Sequence, residues 1–253
     1  MSAESGGSSQ IPWVRIAAEG AVVILSILLA FGIDAAWDGR QVAAREAEYL
    51  TALRVEMVLA SEEWAEDHAR RDEWLAYADS ILDQVRTRTA PDSVVNVWVQ
   101  QVSMFMTRFF PPSSVLSDLV SSGNLSILSS QELRFALLTY ERSRERVNFM
   151  EDWAREVDED GLRPYLTQIF RWTSVMPLPL VDGRSLPDDL IEAVAVPSGT
   201  VGRMLDDAVF ENLILIKRQR LAILQRRSGQ LGQLIADVIE LIDEEVEASG
   251  SAP

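Results

Sequence analysis

The chain contains no cysteine, one histidine (His68) and one lysine (Lys217). Lack of cysteine excludes disulfides, thiol nucleophiles, zinc–thiolate sites and iron–sulfur clusters together. It leaves the compartment open. One histidine leaves a single centre for a His-based metal site or a Ser-His-Asp triad. No phosphate-cradling glycine loop, GxSxG elbow or HExxH helix occurs. Positive charge is scarce as well, with 23 Lys and Arg against 39 Asp and Glu and a net charge of −16. That balance excludes nucleic acid as a partner, because phosphate contacts require clustered cations, and it disfavours an anionic lipid surface. The near-total preference for arginine over lysine reflects genome composition rather than a phosphate-binding device.

What is present is apolar: 47% of 253 residues, enough for one large or two small hydrophobic cores. The longest apolar run is EGAVVILSILLAFGIDAAW, Glu19 to Trp37. Its uncharged interior, residues 20 to 33, would measure about 21 Å as a helix, against roughly 30 Å of bilayer hydrocarbon. The flanks from Ile11 to Trp37 extend it to about 40 Å. Trp13 and Trp37 stand where an interfacial aromatic belt belongs, and Arg15 can snorkel outward. A cleaved signal peptide is the first rival, but residues 1 to 14 hold Glu4 and no Lys or Arg, and Asp34 occupies the expected cleavage region. A soluble core helix is the second rival, but Ala21 to Ile33 is apolar on every face except Ser26, with no amphipathic stripe. The run therefore predicts a transmembrane helix over residues 11–37. Glu19 and Asp34 bracket it at headgroup depth; the sharper reading of Glu19 is a buried carboxylate on an ion path.

Residues 1–10 (MSAESGGSSQ) and 248–253 read as disordered tails, and residues 38–247 as a helical bundle domain. Beyond Trp37, Leu50, Leu53, Met57, Ala60, Trp64, Arg71, Ala78, Ile81 and Val85 follow steps of three and four, the period of a helix in a bundle. No proline interrupts Gln41 to Thr89. VVNVWVQQVSMFMTRFF predicts a second helix ended by Pro111-Pro112. A short helix follows, Val115 to Ser122, with Gly123 as its left-handed C′ residue. Ser129-x-x-Glu132 reads as a capping box opening a helix that buries Leu133, Ala136, Leu137, Tyr140, Val147, Met150 and Trp153, until Gly161 and Pro164 break or bend it. Thr173 to Gly202 is a proline-punctuated connection with a short helix at Pro187 to Ala193. A last helix, about Arg203 to Glu247, carries Leu213, Ile216, Leu221, Leu224, Leu231, Ile235, Ile239 and Ile242 on its apolar side. Its acidic DEEVE end opposes the helix dipole and should fray. The fold class is all-α: an N-terminal transmembrane helix continuing into a bundle of long antiparallel helices.

ILLAFGIDAAWDGRQVAAREAEYLTALRVEM resembles a bacterial family of single-span membrane proteins known only as a domain of unknown function. Members begin the span with Glu, close it with Ile-Asn/Asp-x-x-Trp and enter a charged helix with a Tyr-Leu pair. These fall here on Glu19, Ile33, Asp34, Trp37, Tyr49 and Leu50. The family's Ser-Gly-Asn-Leu turn before a Glu-Leu-initiated helix is similar to Ser122, Gly123, Asn124, Leu125, Glu132 and Leu133. The family usually has several basic residues before the span; this chain has Arg15 alone. The resemblance implies an inner-membrane address and a fold, and no reaction. Charge counting, with Arg40, Arg45 and Arg54 after the span, would place the bundle in the cytoplasm by a small margin, but long domains translocate largely regardless of charge. The resemblance implies a periplasmic or otherwise extracytoplasmic bundle.

Candidate chemistry is thin. The pairs Glu62/Glu63, Asp188/Asp189 and Asp206/Asp207 read as solvated helix faces rather than as acid–base pairs in distinct environments. Glu66, Asp67, His68 and Asp72 could imitate a metal site, yet one histidine with surface carboxylates is a weak donor set. Trp64, Trp74, Trp98 and Trp153 are spread over helical faces as core or interface residues. KRQRLAILQRR is the main basic cluster. Its Arg218, Arg220, Arg226 and Arg227 either dock an acidic partner or pair with the acidic first helix. The sequence thus reads as a non-enzymatic, cofactor-free module that meets the lipid bilayer and a protein partner or a second copy of itself. The alternative is a subunit of an ion- or proton-linked complex using Glu19.

Overall fold

In the computed structural model every element among the described residues is helical; the structure describes residues 13–104, 108–169 and 199–250. The tail at 1–10, the short helix expected at Pro187 to Ala193 and most of the connection around it lie outside the described residues. The chain divides into two units, Met1–Tyr49 and Leu50–Pro253. Helix α1 (Trp13–Thr87) is unbroken, so Asp38-Gly39 does not interrupt it. In the first unit every described side chain from Ile24 to Arg45 is exposed. Among the described residues no helix is long and apolar enough to cross a membrane.

In the second unit, α1 is followed by α2 (Asp92–Met104), α3 (Ser114–Ser121) and α4 (Gln131–Val157). A π turn at Asp158–Leu162 joins α4 to α5 (Arg163–Ile169), and α6 (Thr200–Leu205) precedes the long α7 (Ala208–Gly250). Polar pairs fix the directions. Arg54, Trp64 and Asp79 of α1 meet Asp243, Ser228 and Arg218 of α7, so these helices are antiparallel. The Trp153 carbonyl and Asp158 meet Arg220 and Lys217, so α4 is antiparallel to α7 too. Hence α1 and α4 run the same way. The return between them is the broken path α2, residues 108–112 and α3, which touches α1 near Ile81, then Glu63, then Glu56. The result is an up-down-up-down bundle.

The core lines keep coiled-coil spacing. On α7 the buried series is Phe210, Ile214, Lys217, Leu221, Leu224, Ser228, Leu231, Ile235, Val238 and Ile242, alternating steps of four and three without a gap. Two of its members are polar, and this is why the expected line went astray at its start. Ile216 is exposed, whereas Ile214 and Lys217 are buried. On α1 the series passes through Asp67 and Arg71, and on α4 through Glu151 and Asp158. The π turn preserves the α4 line: its wider winding keeps Asp158, Leu162 and Leu166, four residues apart, on the buried side.

Several local expectations change. The second helix is described as far as Met104, and residues 108–113 are not helical, so no helix runs up to the prolines; Pro111 lies buried in the return path. The cap of α4 is Ser130 rather than Ser129; its hydroxyl accepts from the Leu133 amide at 3.3 Å. Gly123 has φ 74°, the left-handed value expected of it. The last helix is split by Asp206-Asp207, where Asp207 Oδ1 accepts from the Val209 amide at 2.8 Å and opens α7. At the other end α7 continues to Gly250, so residues 248–250 are helical rather than a tail.

Candidate functional site

The most elaborate chemistry among the described residues is a buried polar layer across the bundle. Arg71 of α1, 1% exposed, donates from Nη1 to Glu151 Oε1 of α4 at 2.9 Å and from Nη2 to Ser228 Oγ of α7 at 2.7 Å. Trp64 Nε1 donates to the Ser228 carbonyl at 2.7 Å and lies 3.1 Å from its hydroxyl. His68 stacks on Trp64, ring centroids 4.9 Å apart, with Nδ1 3.3 Å from Ser228 Oγ. Ser228 Oγ thus receives Arg71 and Trp64, and its own proton is left for His68 Nδ1. That arrangement requires a neutral ring protonated at Nε2. Burial lowers the His68 pKa, against the opposing pull of Asp72.

Small residues on α7 make the layer fit. A Cβ at Gly232 would stand 2.2 Å from the Trp64 ring, and one at Gly229 3.8 Å from His68. The stretch Ser228-Gly229-x-x-Gly232 is therefore a seat for the Trp64–His68 stack.

Electrostatically the layer is strained. Burial is the larger influence on Glu151 and pushes its pKa up to about 7, against the pull of Arg71 and of the Phe109 amide. Burial also lowers Arg71, opposed by Glu151 and Asp67. Arginine keeps its proton in proteins, so the proton equilibrium of the layer sits on the carboxyl side. Asp67, 5% exposed, has an Oδ2 without a hydrogen-bond partner. A second buried pair lies along α7, where Lys217 Nζ donates to Asp158 Oδ2 of the π turn, both side chains at most 4% exposed. Burial pushes Lys217 down and Asp158 up, and each partner opposes that by favouring the other's charged form.

Carboxylates also hold the return path. Glu56 of α1 accepts from the Val115 and Leu116 amides at 2.8 and 3.1 Å, capping α3, whose own N-cap Ser113 makes no side-chain cap. Glu63 accepts from the Phe110 amide at 2.6 Å, and Glu151 from the Phe109 amide at 3.1 Å. The sequence pattern missed these roles because a carboxylate on a helix face looks solvated until another segment's backbone is laid against it.

The hydroxyl at the centre of the layer is already engaged. Ser228 is fully buried and its oxygen already accepts two donors, so it cannot attack a substrate beside His68. Of the suspected metal donors, Asp72 accepts from Gln225 at 2.7 Å and Asp67 points into the bundle; no group of three candidate ligands occurs among the described residues.

The residues expected at the membrane divide. Trp13, Arg15 and Glu19 lie on α1 with side chains outside the described ones; Asp34 and Trp37 are exposed. The arginine cluster on α7 is not a unit. Arg218 pairs with Asp79 of α1 at 2.8 Å. Arg220 lies 3.5 Å from Glu156, donates to the Trp153 carbonyl and sits 4.4 Å above the Trp153 ring centroid. Arg227 donates to Gln230 at 3.0 Å, and Arg226 is exposed. No family model, curated protein or solved structure matches this chain.

Proposed function

We propose that this protein is a membrane-anchored helical module that binds a protein partner or self-associates, with its bundle outside the cytoplasm of a bacterial cell. One observation carries the reading. Ile24, Leu25, Leu28, Leu29, Phe31, Ile33 and Trp37 are 60 to 69% exposed, and they lie on every side of α1. Burial contributes about 25 cal/mol per Å² of apolar surface, and here it is forgone around a whole helix. A coiled-coil seam would leave one stripe. An all-round apolar surface calls for lipid, or for several neighbouring helices. In the sequence the uncharged run begins at Gly20, and the resemblance to single-span proteins supports the same reading.

The polar layer supports a non-catalytic role, since the hydroxyl of Ser228 is buried and held by Arg71 and Trp64. The full-length chain should stay in the pellet when bacterial membranes are washed with carbonate, and dissolve in detergent. Recovery of the intact chain in the aqueous fraction ends the anchor reading. Reporter fusions at the C-terminus locate the bundle. Crosslinking in native membranes should give a dimer or a defined heteromer; a monomer at every crosslinker length ends the partner-binding reading. Loss of ion-coupled function in Glu19→Gln, with the complex intact, would favour the alternative subunit role.

A further inference from the structure

Between α4 and α7 an open groove of about 420 Å³ has an apolar floor of Phe135, Leu234 and Leu241. Phe135 is 70% exposed and shares the groove with Leu234 and Leu241. Glu132, Asp237, Glu240 and Glu244 form the rim, and no basic residue lines it. Glu240 and Glu244 also border an adjoining groove floored by Ile239. The spacing of Asp237, Glu240 and Glu244 places three carboxylates on one side of α7 near its C-terminal end. There they repel one another. Some carboxylates elsewhere on the bundle, such as Asp79 and Asp243, meet arginines; on this rim Asp237 accepts from Gln233, and among the described residues no ion pair involves any of the four.

We infer that this groove is the docking site for a cationic amphipathic helix of another protein. Its apolar side chains cover Phe135, Leu234 and Leu241, and its Lys or Arg residues answer the four rim carboxylates. Charge selects the occupant. A second copy of this chain carries −16 itself, and on its α7 Arg218 and Arg220 already pair with Asp79 and Glu156. The inference rests on the partner-binding reading and names the chemistry of the partner.

The test uses the full-length chain in detergent and a synthetic leucine–lysine amphipathic peptide. Saturable one-to-one binding is expected. The dissociation constant should rise at least about tenfold in Glu240→Gln/Glu244→Gln and in Phe135→Ser, each a surface change that leaves folding intact. A control with equal charge change on other exposed sites, Glu145→Gln/Asp160→Asn, should leave binding unchanged. A peptide with serine for leucine, and spermine, should fail to compete. Equal weakening in the control, indifference to Phe135→Ser, effective competition by spermine, or absence of saturable binding each overturns the proposal. In native membranes, a photocrosslinker at position 135 should capture the partner. A partner captured from other positions but never from 135 sinks the groove and spares the partner-binding reading; no capture from any position removes that reading itself.

Discussion

Arg71 sits at a core position of α1, where leucine would be ordinary; Glu151 and Ser228 accept from its two Nη atoms, while its buried Nε has no partner. Removing one partner of such a pair leaves a buried charge without compensation. Arg71→Met should therefore destabilise the bundle by about 3–5 kcal/mol, and adding Glu151→Gln, which removes the charge but keeps an acceptor for the Phe109 amide, should recover part of the loss. Thermal unfolding of the two variants checks this; a double variant no better than the single would show that the layer is not a pair. The pH response follows from Glu151. Its folded pKa, about 7, lies above the ordinary 4.5, so between these values the folded chain holds a proton that the unfolded chain has released. Its contribution to stability is then full below about pH 4.5 and is lost as pH rises through 7. Glu151→Gln should flatten that slope in denaturant titrations at a series of pH values. A slope identical to the parent's would place the titration elsewhere.

At the scale of elements, the approach of α1 to α7 depends on the absence of a side chain at Gly232. Gly232→Ala would drive a methyl group into the Trp64 ring, a rigid neighbour, and should cost about 1–3 kcal/mol with a change in tryptophan fluorescence. Unaltered fluorescence and stability would mean that the indole has room to swing aside. Gly161→Ala should cost less, since it meets only the flexible tip of Leu213 at 2.7 Å. The far end of α7 behaves in the opposite sense. Glu240→Gln/Glu244→Gln should raise the melting temperature slightly, because like charges at helical neighbour spacing destabilise by a few tenths of a kcal/mol each. Helix identity and order were legible from apolar spacing, and so was the left-handed Gly123. Boundaries were less legible. Whether Ser129 or Ser130 caps α4, and whether α7 begins before or after Asp206-Asp207, depends on which hydroxyl or carboxylate meets which amide. Adjacent residues of the same kind do not reveal that.

For the molecule as a whole, the apolar run of α1 is the feature on which the proposed role depends. Leu28→Arg would place a charge among Ile24, Leu25 and Phe31, costing roughly 2.5–3.5 kcal/mol of insertion if lipid surrounds them. The fraction of chain resisting carbonate should fall, whereas Val42→Arg, beyond Trp37, should not change it. Equal retention of both variants would remove lipid as the covering medium. The helical class, the three-and-four spacing of the core and the lack of thiol or multi-histidine chemistry follow from composition and periodicity along one chain. That Asp67, Arg71, Glu151, Asp158, Lys217 and Ser228 are core residues follows only from how the helices pack. The same packing decides that Glu56, Glu63 and Glu151 hold the return path, and that Phe135 is left on an acidic groove. A polar residue is buried or solvated according to what another helix presents to it. That complement lies 42 to 164 residues away in sequence, beyond the reach of any local pattern.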